Sequence, residues 1–189
     1  MPSPTAVLIT FASRTVQESR RGNSQMTEED LLHLAQEWVL KQAGCGFSMK
    51  GNTPVPAPVG GPFVFGVASF GKSVYVEVVL TKEAFQHEMQ RFGYQDPARE
   101  IGKFRFICAP AGVVTERELP LHWGLLCVHE KGNLTCEHNP YDHHGINYWQ
   151  NGFQNYDPTT EQLLMRSLCP RMLYRGVVHS LSFTGSSFK

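Results

Sequence analysis

The chain has 189 residues, 41% of them hydrophobic and 18% charged, which suits one globular domain with a sizeable core. Seventeen Lys and Arg balance seventeen Asp and Glu, so no global field draws in a polyanion, and a nucleic-acid partner would need a local basic patch. Five cysteines without paired spacing argue for reduced thiols in a cytoplasm over a secreted disulfide framework, and no apolar run reaches membrane-spanning length.

Residues 1–25 make a poor start for a domain. The apolar run Ala6 to Ala12 is short, and Arg14, Glu18, Arg20 and Arg21 follow it without a small-residue cleavage pattern, so a flexible extension is expected over a signal peptide. Thr27-Glu28-Glu29-Asp30 reads as a helix start, with Thr27 as N-cap and the acids favourable to the helix dipole. Leu31, Leu34, Ala35, Trp38 and Gln42 share one face, broadened by Leu32 and Val39, and Ala43-Gly44 ends the helix. Cys45 to Met49 reads as a short strand, and Pro54 to Pro62, with four Pro and two Gly, as a loop.

Val74 to Thr81 carries the most informative pattern. Val74, Val76, Val78 and Leu80 alternate with Tyr75, Glu77, Val79 and Thr81, the period of a central β-strand. Glu77 is the anomaly, because a carboxylate in so apolar a strand is costly to bury unless paired, hydrogen-bonded or metal-bound. Side chains two apart share a face, so Glu77 and Val79 point the same way, about 6 to 7 Å apart.

Beyond it, Thr81 caps a helix from Lys82 to Phe92, with Phe85 and Met89 inward. Gln95-Asp96-Pro97 is a turn, and Lys103 to Ala109 a strand with Phe104, Phe106 and Cys108 on one face and Lys103, Arg105 and Ile107 on the other. Trp123 to His129 and Leu134 to His138 form a hairpin around Glu130-Lys131-Gly132-Asn133. Its Cys127, His129, Cys136 and His138 form a candidate zinc set, followed by Asp142, His143 and His144, although the spacing is not that of a standard finger or knuckle. Residues 139–158 are rich in aromatics, including Tyr141, Tyr148, Trp149, Phe153 and Tyr156. Tyr148 and Trp149 either stack on bases or a partner, or pack the loop on the sheet. Thr159-Thr160-Glu161 caps a last helix, Gln162 to Cys169, which Pro170 ends or kinks, and residues 181–189 read as a tail. There are no repeats and no Gly-rich phosphate loop.

Several of these pieces in order resemble the PD-(D/E)XK nuclease superfamily, above all its small bacterial and phage members such as the MmcB-type repair proteins. Pro62-Phe63 falls where that family begins a strand with Pro-Asp, and Glu77-Val78-Val79 where it reads Glu-x-Lys before a helix. Leu80-Thr81-Lys82-Glu83-Ala84-Phe85, Gly102-Lys103-Phe104-Arg105-Phe106, Pro110-Ala111-Gly112-Val113-Val114, the Leu119 to Leu126 run and Glu130-Lys131-Gly132 continue the match, over residues 27–135. The resemblance implies an α/β (α+β) fold with a restriction-endonuclease-like core, a central mixed β-sheet flanked by helices, as a single domain over 26–180 with an insertion at 139–158.

In active relatives an Asp and the Glu hold Mg²⁺ and the Lys orients the attacking water. Here the Asp position is Phe63 and the Lys position Val79, and no Asp lies between Leu31 and Gln95. Glu77 stands as a remnant that alone binds Mg²⁺ or Mn²⁺ weakly. The resemblance therefore implies a catalytically degenerate protein without a cofactor, acting by binding a nucleic acid or a protein, in a phage or mobile-element setting where such relatives occur. Two alternatives stand beside it. One is an active Mg²⁺- or Mn²⁺-dependent nuclease with a site rebuilt from Glu77, Glu37 and Lys82, with Lys82, also a candidate binding residue beside Tyr148 and Trp149, as the relocated basic group. The other is a zinc-stabilised interaction module on the hairpin.

Overall fold

The computed structural model describes residues 26–51, 61–92, 100–141 and 149–174. Among them, six strands form one mixed sheet flanked by three α-helices, an α/β arrangement. The first helix, α1 (Glu28–Lys41), is opened by a reciprocal capping box in which Thr27 Oγ1 accepts from Asp30 N and the Asp30 carboxylate accepts from Thr27 N at 3.0 Å. It stops where Gly44 takes a left-handed φ of +70°, and Lys72 Nζ donates to Ala43 O at 2.6 Å just beyond the last turn.

The strands are β1 (Phe47–Gly51), β2 (Phe63–Ala68), β3 (Lys72–Val78), β4 (Phe104–Pro110), β5 (Gly124–Val128) and β6 (Leu134–His138), and they lie side by side in chain order. The first three form an antiparallel meander. Helix α2 (Lys82–Phe92) then crosses over so that β4 pairs parallel to β3, and β5 joins parallel to β4 before β6 turns back antiparallel. A single 3-10 turn at Glu116–Glu118, held by Thr115 and Glu118 as a capping box, lies in the β4–β5 connection.

Alternation along β3 and β4 divides the core into two layers. On one face Val64, Val74, Val76, Val78, Phe104, Phe106 and Leu126 pack beneath the buried side of α1, namely Leu31, Leu32, Ala35, Trp38 and Val39. On the other, Phe63, Phe65, Tyr75, Ile107 and Leu125 meet Phe85 of α2 and Leu164 of helix α3 (Pro158–Tyr174). Close approach of α1 depends on Gly66, where an added methyl group would collide with Val39.

The expected helices and strands are present, with three corrections. Strand β3 ends at Val78, so Leu80 and Thr81 lie in the turn into α2. Helix α3 is longer than its apolar pattern implies: it starts at Pro158 and runs through Pro170 to Tyr174. Its cap is Asp157, whose Oδ1 accepts from the backbone N–H of Thr159 and Thr160 at 3.0 and 2.9 Å, and not the Thr159-Thr160-Glu161 segment. Residues 1–25, the loop at 54–60, the Gln95-Asp96-Pro97 turn, Asp142, His143, His144, Tyr148 and the tail at 181–189 lie outside the described residues. No described helix is long and apolar enough to cross a membrane.

Candidate functional site

Phe63 opens β2, Glu77 lies next to the end of β3, and antiparallel pairing makes the two direct register partners on the same face. Two residues past Glu77, Val79 leaves the strand but stays buried, its N–H donating to Cys108 O at 2.9 Å. The chain then enters α2, where Thr81 Oγ1 accepts from Ala84 N. A strand start, a strand end and a helix start thus bring Phe63, Glu77 and Val79 to one place.

That place is filled. Glu77 is fully buried (0%), and Phe63 and Val79 belong to the hydrophobic cluster around it. The Tyr75 hydroxyl donates to Glu77 Oε2, and the Tyr75 ring stacks on Phe63 with centroids 5.7 Å apart. On the other side, Gly61 lies so close that a methyl group there would collide with Glu77 Oε1. The same methyl group would sit 3.6 Å from the carboxyl carbon of Glu88, a residue of α2 only 9% exposed whose Oε1 is 3.5 Å from His87 Nδ1. Glu88 is the residue the sequence reading missed. It lies three positions after Phe85, which α2 turns inward, and that i, i+3 relation was the available signal.

Glu77 alone offers a divalent cation little: Mg²⁺ holds a strict octahedron and keeps several waters, and one oxygen of Glu77 takes the Tyr75 hydroxyl while the other faces the space beside Gly61 that the Glu88 carboxyl also borders. Among the described residues, no group of three or more His, Cys, Asp or Glu side chains could hold a metal.

The rebuilt-site alternative also separates in space. Glu37 is on α1, which covers the Val76 and Val78 face of the sheet, whereas Glu77 alternates with those residues and points to the opposite face. Glu37 instead pairs along its own helix with Lys41 at 3.2 Å and lies 3.8 Å from His33. Lys82 forms an ion pair with Glu118, holding that carboxyl below its usual range, and its ammonium sits 5.4 Å from the Phe85 ring centroid.

The hairpin does not assemble its four candidate zinc ligands. Cys127 pairs with Thr135 and Cys136 with Leu126, so the two sulfurs leave opposite faces of the sheet. Burial, reinforced by Glu137, pushes the Cys127 thiol up to about 12. His129 Nε2 lies 2.9 Å from Thr135 Oγ1, and His138 Nδ1 is 3.1 Å from Glu116. Trp149 is committed to packing: it lies against Trp38 with centroids 5.8 Å apart and against Phe104 and Phe106 at 5.3 Å, beneath the Lys72 ammonium at 3.7 Å. Tyr141 is buried in the same cluster, its hydroxyl accepting from Arg105 N at 3.0 Å and donating to His122 O.

A different concavity opens near the start of β4 and β5, a cavity of about 640 Å³ whose lining includes Arg105, Leu121, His122, Trp123 and Phe153. Trp123 reaches from it toward the Glu77 side, its ring set edge-on to Tyr75 at 6.3 Å.

No protein-family model matches the chain, and no curated protein sequence matches it. A solved structure to which it is similar is the SPO1766 protein of unknown function from Silicibacter pomeroyi, at 16% identity and a TM-score of 0.47 over 84% of this chain and 99% of that one.

Proposed function

We propose that the chain is a catalytically silent relative of the PD-(D/E)XK nucleases, with a restriction-endonuclease-like core, that acts in the cytoplasm by binding a partner. The observation that carries this reading is the pairing of Phe63 with Glu77 across β2 and β3, with Val79 two residues on and all three buried. The reading is supported by the sequence resemblance, in which Pro62-Phe63 corresponds to Pro-Asp and Glu77-Val78-Val79 to Glu-x-Lys, with hydrocarbon in the places of the second acid and the lysine.

The absence of a net field favours a protein over a polynucleotide as that partner. Among the described cations, Lys41, Lys50 and Lys82 are each paired with a glutamate, and Lys72 and Arg105 are turned into aromatic packing. Phosphate binding draws on unneutralised Lys and Arg. The free thiols of Cys45, Cys108, Cys127 and Cys136 suit a reducing compartment.

The test is nuclease activity on supercoiled plasmid, single-stranded DNA and RNA with Mg²⁺ or Mn²⁺. No cleavage above buffer is expected, and Glu77→Gln is expected to behave as the parent. Metal-dependent cleavage that Glu77→Gln removes would overturn the reading.

A further inference from the structure

No further inference is drawn: the strongest candidate, the convergence of the buried Glu77 and Glu88 carboxyl groups on the space beside Gly61, between the end of β3 and helix α2, is a cluster of acidic residues that belongs to the site already described.

Discussion

At Glu77 the buried carboxylate accepts from the Tyr75 hydroxyl, which offsets part of the cost of burying it. Glutamine keeps the shape and an oxygen that accepts from Tyr75, so Glu77→Gln should unfold in urea within about 1 kcal/mol of the parent. Glu77→Ala leaves a buried tyrosine donor and a void, and should cost about 2 to 4 kcal/mol. Phe63→Asp is the sharper test. It removes a packed ring from beneath Tyr75 and sets a second carboxylate directly opposite Glu77, where burial and like charge both penalise ionisation. A loss of about 3 to 5 kcal/mol is expected in the same urea titration. A Phe63→Asp protein as stable as the parent would show the place to be hydrated and the core argument wrong.

Helix α3 is docked by two carboxyl groups whose titrations oppose each other. Asp157 caps the helix, and the hydroxyl and N–H of Thr160 hold its carboxyl below the usual aspartate range. Its contribution is thus present above the ordinary value near 3.8 and is lost as pH falls through the lower folded value. Glu161 accepts from Ser73 Oγ at 2.8 Å and Gly102 N at 2.7 Å, but burial raises its carboxyl above the ordinary 4.5. Its ionisation therefore weakens the fold as pH rises through that raised value, and the fold is relieved of it below 4.5. Asp157→Ala should cost about 1 kcal/mol at neutral pH and progressively less in acid. Glu161→Gln, which keeps an acceptor for both donors, should be at least as stable as the parent at neutral pH and lose that advantage in acid. Thermal melts across pH check both, and slopes of the same sign for the two variants would refute this division.

The same elements show what a one-dimensional reading reaches. Capping residues and apolar periodicity made α1 and α2 legible, because those signals are local. Asp157 was passed over because Thr159 and Thr160 carry the same capping chemistry two residues on. Which face of the sheet α1 covers is set by how the chain crosses it, so nothing near Glu37 in sequence reveals that it lies across the sheet from Glu77. Glu88 was hidden by the ordinary expectation that a helical glutamate is solvated, and Trp149 by the fact that aromatic packing and an aromatic patch have the same composition. Phe63 and Val79 are buried, which their apolar identities alone made legible.

Across the whole molecule, charge balance and its placement bear on the partner. Equal numbers of acidic and basic residues leave no net field, and three of the seventeen cations, Lys41, Lys50 and Lys82, are paired with Glu37, Glu29 and Glu118. Polynucleotide affinity comes mainly from unneutralised cations releasing counterions, and it falls steeply with salt. A fluorescent duplex or single strand titrated with the protein at about 0.15 M salt should therefore show no saturable change in anisotropy, and lowering the salt should add only weak, sequence-independent association. If tight binding persisted at that ionic strength, the protein-partner reading would give way to one in which residues beyond these ion pairs build a basic surface. Changing Glu29, Glu37 and Glu118 to glutamine unpairs three lysines, so the triple variant should bind DNA more tightly than the parent at low salt and lose that gain as salt rises. No gain over the parent at low salt would show that these three pairs do not govern DNA affinity.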